Sequence, residues 1–228
     1  MPEQGAAKRR LLFGRARGKT LRAHHAGLIA NLLPQVEVSP EKLAAGAPFD
    51  LPMREFWLEI GFGGGEHLVA RAQQNPDVGF IGCEPFLNGV AKLLAAIEAN
   101  ELTNIRLRAG DAQQLIQAAP AGIFSRVFLL YPDPWPKRRQ NKRRLVSEDM
   151  IAELARVMRP GAELCFATDI DDYAGWTLRR FRASSQFQWR AGRASDWREP
   201  WPDWRPTRYE TKARNSGRAS AYFTFIRL

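Results

Sequence analysis

The sequence predicts an α/β fold in which helices cover both faces of a doubly wound, mostly parallel sheet. After position 52, short apolar runs alternate with segments of helical period about every 25 residues, which is typical of βαβ units. The apolar runs are nearly continuous, as expected for strands buried on both faces. The chain has 228 residues, 45% of them hydrophobic and 25% charged, which is enough for one such domain.

Each element is placed by its local pattern. Strands are predicted from short apolar runs, at Glu55–Ile60, Val78–Cys83, Ile105–Ala109, Arg126–Tyr131 and Ala162–Thr168. Helices are predicted from apolar residues at helical spacing, at Glu66–Gln74, Phe86–Ala99, Ala112–Ala118, Ser147–Met158 and Asp171–Ser184. Pro160-Gly161 favours a helix stop before the next strand. A loop rich in Trp and Pro, Asp196 to Gly217, separates two further predicted strands, Phe187–Arg193 and Ala219–Leu228.

The first 50 residues have a different pattern. Residues 1–30 form a basic arm that contains glycine, and Leu33 to Pro52 is rich in Pro, Gly and Ala, which predicts an irregular connection. The first 22 residues carry seven basic groups and one acid, Glu3, without the apolar core of a signal peptide. We therefore expect an arm and connection over residues 1–50 and the main domain over residues 51–228.

Composition limits the class of partner. The chain has 34 Lys and Arg against 24 Asp and Glu, a net charge of +10, which favours nucleic acid or an anionic membrane surface as partner. No stretch approaches the roughly 18 apolar residues that span a bilayer, so we expect a soluble, cytoplasmic protein. Cys83 and Cys165 form no Cys-x-x-Cys pair, and His24, His25 and His67 form no ligand set, so we expect neither a disulfide nor a metal.

A glycine-rich loop follows the first predicted strand, in the run Glu59-Ile60-Gly61-Phe62-Gly63-Gly64-Gly65. Glycines at alternate positions allow positive φ and close approach of a ligand to the backbone. The third glycine comes too early for a dinucleotide-binding loop, and the charge of Glu59 disfavours a pyrophosphate but suits a cation. S-adenosyl-L-methionine offers such a cation. The alternative is a tight turn without a ligand.

Two more acids follow the next strands. Glu84 could accept hydrogen bonds from ribose hydroxyls, as acids at this place also do in nicotinamide enzymes, or could be a charge near a helix start. Asp111, which precedes Ala112, could bind the adenine amino group or cap the next helix. Open α/β sheets bind ligands at the edge where parallel strands end. Three acids at successive strand ends therefore predict a nucleoside site.

The most specific segment runs from Tyr131 to Arg144. Prolines on both sides of Asp133 fix its backbone at the end of the fourth strand, and Trp135 offers a flat face for a base. Six of the eight residues from Lys137 to Arg144 are basic, a density suited to phosphates. The alternative interpretation is a solvated, charged loop.

With these motifs the chain resembles the bacterial tRNA (guanine-N7-)-methyltransferases, which use S-adenosyl-L-methionine to methylate a variable-loop guanine. The likeness covers most of the chain, at Phe13–Gly18, Leu58–Gly63, Pro132–Arg144, Ala167–Asp169 and Thr207–Lys212. It implies a seven-stranded Rossmann-like methyltransferase sheet with a terminal antiparallel strand, and it implies that the partner is tRNA. We expect no association with a membrane and no obligatory protein partner, and we expect a monomer or a homodimer. A non-catalytic RNA-binding protein would leave the three acids unexplained, and the glycine spacing opposes a nicotinamide oxidoreductase.

The resemblance also implies roles for individual residues, with Asp133 as the catalytic residue. The residues expected at the cofactor are Glu59, Gly61, Gly63, Gly65, Glu84, Asp111, Ala112 and Asp133. The residues expected at the substrate guanine are Lys137, Asp169, Thr207, Arg208, Tyr209 and Glu210. The residues expected against RNA are Arg139, Lys142, Arg143 and Arg144. Gln140 and Arg208 depart from the histidine and lysine that are common in the family.

The chemistry indicates why no general base is expected. Guanine N7 has a lone pair in the ring plane, so the protein needs only to align N7 with the methyl–sulfur bond. Asp133 and Asp169 are expected to accept hydrogen bonds from the guanine N1–H and amino group, although Asp169 could instead cap a helix. Three late tryptophans could cover the base or pack the loop against the sheet, and packing is favoured: Trp197, Trp201 and Trp204.

Overall fold

One mixed sheet of seven strands lies at the centre of the part of the chain that the computed structural model describes, which is Ala16, residues 18–202 and residues 204–228. The strands are β1 (Glu55–Ile60), β2 (Val78–Cys83), β3 (Ile105–Arg108), β4 (Phe124–Leu130), β5 (Met158–Thr168), β6 (Phe187–Trp189) and β7 (Ala221–Arg227). Most of the predicted basic arm lies outside the described residues.

Helices cover both faces of this sheet. They are α1 (Ala23–Asn31), α2 (Leu33–Val36), α3 (Pro40–Ala44), α4 (Glu66–Gln74), α5 (Leu87–Ala99), α6 (Ala112–Ala118), α7 (Glu148–Val157), α8 (Asp171–Ala183), α9 (Ser195–Arg198) and α10 (Arg208–Asn215), with a 3-10 helix at Arg138–Arg143. Buried apolar residues form one cluster on each side of the sheet.

The strand order is β3-β2-β1-β4-β5-β7-β6. The pairs from β3 to β5 are parallel, whereas β7 is antiparallel to both β5 and β6. This confirms the predicted doubly wound, mostly parallel sheet with a terminal antiparallel strand. The direction of winding reverses between β1 and β4, so a crevice opens at the carboxyl ends of these two strands.

Strand β5 begins at Met158, four residues before the predicted start, and β4 begins at Phe124, two residues early. The register passes from Phe124–Met158 directly to Arg126–Glu163, so β5 bulges at this point. Gly161, with φ +81°, supplies the left-handed residue that this bulge needs. Pro160-Gly161 therefore lies within the strand, and the prediction that it separates helix from strand is wrong.

The prediction of an irregular connection is wrong for α2 and α3. Ser39 caps α3 by accepting a hydrogen bond from the Lys42 N–H at 3.2 Å. The Val38 N–H donates to the Leu107 carbonyl on β3, so this segment covers the edge of the sheet. Leu28, Val38 and Leu43 are buried in the same clusters as the sheet. A division at residue 50 stays a prediction.

The loop predicted from Asp196 to Gly217 contains most of α9 and all of α10, and β6 ends four residues earlier than predicted. Its tryptophans pack inward, which confirms the favoured interpretation. The Trp201 indole donates to Thr224 Oγ1 on β7 at 2.8 Å and meets Tyr222 edge-on. Trp197 lies against Phe223, and Trp204 lies between His67 and Tyr222.

Helix α5 packs against the glycine-rich loop without space for a side chain between them. A Cβ on Gly89 would lie 2.1 Å from the Gly63 carbonyl oxygen. A glycine at position 89 therefore allows the helix backbone to approach the loop that ends β1. This packing fixes the height of the loop above the sheet edge.

We expect Gly89→Ala to lower the free energy of unfolding by about 1–3 kcal/mol, because the added methyl must displace the loop or the helix. Gly27→Ala in α1 is the matched control, since its Cβ meets nothing within 4 Å, and it should stabilise by roughly 0.5–1 kcal/mol. Urea unfolding measures both. Equal stability of the two variants would show that the close contact does not constrain the fold.

Candidate active site

A cleft of about 650 Å³ opens at the carboxyl ends of β1, β2 and β4. Its wall includes Gly61, Gly63, Glu84, Asp111 and Asp133. Gly61 and Gly63 follow β1, Glu84 follows β2, Asp111 follows β3 and Asp133 follows β4, and the parallel arrangement brings them to one edge of the sheet. Of the three acids predicted to lie together at successive strand ends, Glu84 and Asp111 are in this wall, with Asp133 beside them, whereas Glu59 is not.

Three residues of the glycine-rich loop have a left-handed backbone conformation, with φ +78° at Gly61, +58° at Gly63 and +83° at Gly65. Gly61 and Gly63 line the cleft. Gly65 does not: it is the N-cap of α4, and a Cβ there would lie 2.7 Å from Leu93 Cδ1. The absence of a side chain at Gly65 allows close packing against α5. Gly65 does not line the cleft, so the structure does not place it where it was expected to contact a cofactor.

The Glu84 carboxylate hydrogen-bonds to two backbone segments that line the cleft. Its Oε2 accepts a hydrogen bond from the Gly63 N–H at 2.8 Å, and its Oε1 accepts one from the Phe86 N–H at 2.9 Å. Burial raises the pKa of this carboxyl, an effect larger than the opposing effect of the two backbone bonds. Each oxygen has a further lone pair, so the carboxylate can also accept bonds from two adjacent hydroxyls.

Asp111 caps α6, because its Oδ1 accepts a hydrogen bond from the Gln113 N–H at 3.0 Å. It also lies in the cleft wall together with Ala112. The cap engages Oδ1 and leaves Oδ2 with its capacity as an acceptor. The two roles considered for Asp111 are therefore compatible.

Asp133 is held between two residues with left-handed backbone. Tyr131 has φ +50° and Trp135 has φ +42°, a conformation that is unfavourable for bulky residues and is concentrated at functional sites. The Tyr131 hydroxyl donates to Ser220 Oγ at 2.9 Å and so anchors this turn to the residues before β7. The Asp133 side chain is accessible from the cleft, yet the surrounding walls displace part of its hydration and raise its pKa.

Glu59 lies beneath the cleft and not in its wall. The residue is 3% exposed, and its Oε2 lies 2.7 Å from Nδ1 of the equally buried His67 on α4. Glu59 was expected to contact a cofactor directly, but its carboxylate is buried and does not face the cleft. The contact between Glu59 and His67 was not predicted, because only the turn between β1 and α4 brings the two side chains together.

Helix α10 and its N-cap carry four of the six residues predicted to contact the substrate, and only two of these four line the cleft. Arg208 and Tyr209 line the cleft, and Tyr209 is 48% exposed. Thr207 and Glu210 point into the protein instead. Thr207 Oγ1 caps the helix through the Glu210 N–H at 3.2 Å, so both residues hold the helix that presents Tyr209.

Glu210 is completely buried, with 0% exposure. Its carboxylate accepts hydrogen bonds from the Trp204 indole, the Arg214 guanidinium and, at 2.8 Å, the Tyr222 hydroxyl. The expected contact of Glu210 with guanine is therefore not available in this structure. Its partners come from the Trp-rich loop, α10 and β7, which no local pattern in the sequence connects.

The basic segment folds as a 3-10 helix. Arg139 and Lys142 are exposed, and Arg143 lines the cleft with its guanidinium carbon 5.0 Å from the centroid of the Trp135 ring. Arg144 is only 1% exposed; its Nε donates to the Pro134 carbonyl at 2.8 Å, and it forms an ion pair with Asp172. The expectation that Arg144 contacts RNA is wrong for this structure, because Arg144 anchors the segment internally.

Two predicted substrate contacts lie outside the cleft wall. Lys137 is exposed at the start of the 3-10 helix. Asp169 follows β5, and its Oδ2 accepts a hydrogen bond from the Arg218 Nε at 2.7 Å. Asp169 does not cap α8, whose N-cap is Ile170.

The residues just before α1 form part of the cleft, which the sequence analysis did not foresee. The Gly18 N–H donates to Asn88 Oδ1 at 2.8 Å, and the Asn88 amide donates to the Lys19 carbonyl at 2.8 Å. Gly18, Lys19 and Lys92 lie in the cleft wall. The sequence showed only that Gly18 ends a motif shared with the family, which did not indicate that Gly18 and Lys19 lie at the cleft.

Comparison with known proteins shows the family. A family model described as "Putative methyltransferase" matches residues 53–222. The chain is 51% identical to the tRNA (guanine-N(7)-)-methyltransferase of Nitrobacter hamburgensis over 94% of this chain and 86% of that relative. It is 48% identical to the protein of that name from Rhizobium meliloti over 98% of both chains. This chain belongs to the tRNA (guanine-N(7)-)-methyltransferase family.

Solved structures agree with the fold. The aminoglycoside resistance methyltransferase NpmB1 matches with a TM-score of 0.56 and 17% identity, over 84% of this chain and 95% of that chain. The 16S rRNA methyltransferase KamB matches with a TM-score of 0.56 and 18% identity, over 82% of this chain and 92% of that chain. At these identities the likeness concerns the fold alone, which is that of Rossmann-like methyltransferases.

None of the described helices is both long and apolar enough to cross a membrane. Within the same residues, His, Cys, Asp and Glu side chains form no group of three that could hold a metal ion.

We expect Glu210→Ala to lower the free energy of unfolding by about 2–4 kcal/mol, because it leaves buried donors without an acceptor. Glu199→Ala is the control, since Glu199 is exposed, and it should change stability by less than about 0.5 kcal/mol. Chemical denaturation measures both. A Glu210→Ala protein that loses activity but keeps full stability would instead indicate a direct contact with substrate.

The raised pKa of Asp133 predicts a pH-dependent gain in stability for Asp133→Asn. Desolvation penalises the charged carboxylate, so the wild-type protein is destabilised above the folded-state pKa and recovers as pH falls below the ordinary value of 3.8. The melting temperature of Asp133→Asn should therefore exceed that of wild type at pH 7, and the difference should vanish near pH 3. A constant difference at both pH values would contradict this origin.

Proposed function

We propose that this protein transfers a methyl group from S-adenosyl-L-methionine to N7 of a guanine in the variable loop of tRNA. The observation that carries the proposal is the position of Asp133, which is fixed at a cleft that also contains Glu84 and Asp111 and is bordered by the basic 3-10 helix. A nucleoside cofactor and an RNA strand can meet at such a place. The names of the relatives support the same reaction.

The cleft residues fit the cofactor. Positive φ at Gly61 and Gly63 bends the loop, and the absence of side chains lets a ligand approach its backbone. Glu84 would accept hydrogen bonds from the ribose hydroxyls, and Asp111 one from the adenine amino group. Lys19 and Lys92, in the same wall, offer cations for the carboxylate of the methionine part. When bound, the cofactor supplies an electrophilic methyl group on a sulfonium cation.

The protein's own task is to align the guanine and to stabilise the charge that it acquires. Trp135 and Tyr209 offer aromatic faces in the cleft against which the purine can stack. Asp133 would accept one of the two hydrogen bonds from the guanine N1–H and amino group, whose donor strength rises as N7 becomes methylated and the ring positively charged. Asp169, whose Oδ2 is engaged by Arg218, keeps Oδ1 for the second of these contacts.

Exposed cations would hold the RNA backbone beside the cleft. Arg139 and Lys142 project from the 3-10 helix, and Arg143 lies at the boundary between this helix and the cleft. Phosphate contacts give affinity and orientation without reading sequence. Guanine is then selected by the hydrogen bonds of Asp133 and by the approach of N7 to the methyl group.

The test is methyl transfer from labelled S-adenosyl-L-methionine to an unmodified tRNA transcript, with nucleoside analysis of the product. We expect 7-methylguanosine, a rate roughly 100–1,000-fold lower for Asp133→Ala, and an unchanged rate for Asp50→Ala, a control on an exposed acid. A transcript with 7-deazaguanine at the target position should accept no methyl group. If the protein binds tRNA from its native source and the transcript but methylates neither, a non-catalytic RNA-binding function replaces the proposal.

A further inference from the structure

A second cavity, of about 600 Å³, lies between the 3-10 helix, the start of α7 and α8. It is separate from the cleft and shares no wall residue with it. Four cations line this second cavity: Arg138, Lys142, Arg144 and Arg180. Glu148 and Asp149 also line it, so the cations are in excess.

Arg180 stacks on Trp176 and forms no ion pair among the described residues. Its guanidinium carbon lies 3.3 Å from the centroid of the Trp176 ring, a stacked arrangement that leaves the in-plane N–H groups available. Within the described parts of the chain, no acid lies at ion-pair distance from it and no acceptor hydrogen-bonds to it. Desolvation lowers the pKa of Arg180, and the positive charges of Arg179 and Arg144 add to this, while only Glu148 opposes them.

Arg144, in the wall of the second cavity, pairs with Asp172 but keeps one N–H group without an acceptor among the described residues. It is nearly completely buried and lies between the Tyr173 and Trp176 rings, with its guanidinium carbon 5.0 Å and 4.8 Å from their centroids. Its Nε and Nη2 have acceptors, at Pro134 and Asp172, whereas Nη1 is buried without one among the described residues. A partly desolvated group of cations with too few acceptors is stabilised by an anion that supplies them.

The position of the second cavity favours a phosphodiester of the RNA as this anion. The 3-10 helix separates the two sites: Arg143 faces the cleft, whereas Arg138 and Lys142 face the second cavity. Lys142 and Arg143 are neighbours in the chain and line different sites, so the cleft and the second cavity lie side by side across this short helix. A strand whose guanine enters the cleft therefore has phosphates within reach of the second cavity.

We propose that Arg180, together with Arg138 and Lys142, binds a backbone phosphate of the tRNA in the second cavity. This inference rests on the proposed function and adds a contact from α8, outside every motif that indicated RNA binding. Glu148 and Asp149 line the same cavity, and the four cations outnumber them. The contact supplies affinity, and the chemistry in the cleft does not depend on it.

The test compares Arg180→Ala with Arg182→Ala, which removes an exposed cation two residues along the same helix that does not line the second cavity. The affinity of the full-length protein for unmodified tRNA is measured with S-adenosylhomocysteine present, at salt concentrations from about 50 to 200 mM. For Arg180→Ala we expect about tenfold weaker binding and a slope of log K against log salt that is shallower by about 0.7–0.9. Arg182→Ala should keep the wild-type slope.

Two further measurements separate a lost contact from damage to the protein. The methylation rate of Arg180→Ala at saturating tRNA should equal that of wild type, since Arg180 lies outside the cleft. Arg180→Lys, which keeps the charge, should recover most of the salt slope. Identical affinity and slope for Arg180→Ala and Arg182→Ala would overturn the proposal while leaving the proposed function intact.

A free anion is the competing occupant. If inorganic phosphate raises the melting temperature of wild type but not of Arg180→Ala, and the tRNA slope is the same for both, then the second cavity binds a free anion and the proposal is wrong. If wild type neither binds nor methylates tRNA, the proposed function itself fails. The methylation assay at saturating tRNA distinguishes this outcome from failure of the phosphate contact alone.

Discussion

The carboxylate of Glu84 joins the loop after β1 to the start of α5, and the shape of the cleft depends on this junction. One oxygen accepts the Gly63 N–H and the other the Phe86 N–H, so two backbone segments that are distant in sequence are held by one side chain. Gly89 packs against the same loop, and Asn88 holds the Gly18–Lys19 segment from the same helix start. Burial makes the charge of Glu84 unfavourable by itself, and the two N–H donors compensate for it in part.

Several charged residues of the recognisable motifs act inside the protein. Glu59 lies in contact with His67 beneath the glycine-rich loop, and Glu210 on α10 accepts hydrogen bonds from buried donors. Arg144 fixes the basic segment through a hydrogen bond to the Pro134 carbonyl. These contacts determine where Gly63, Tyr209 and Arg143 stand at the cleft. Residues that contact ligands are precise only when the residues behind them are fixed by packing and hydrogen bonds.

The sequence predicted those parts of the molecule whose signals are local. The bounds of β1, β2, α4 and α6 agree with prediction, because glycines, caps and apolar runs mark them directly. Short helices α2 and α3 were missed, since so few turns give too little periodicity and their stability comes from packing against the sheet edge. The burial of Glu210 was also missed, because a charged residue in a polar segment is expected to be exposed. Its hydrogen bond with Tyr222 depends on β7, which is not close in sequence. For the same reason Arg180, beyond the basic run, gave no sign of its role.

The position of β7 has a consequence for the order in which the protein is assembled during synthesis. This strand lies between β5 and β6 but follows both in the chain, so the ribosome must complete it before β6 can join the sheet. The walls formed by β1, β2 and β4 are made earlier, whereas α10 depends on Tyr222 to fix Glu210 and hence Tyr209. A nascent chain therefore forms the strand ends that carry Glu84 and Asp133 first, and the side of the cleft that carries Tyr209 is completed only when β7 emerges.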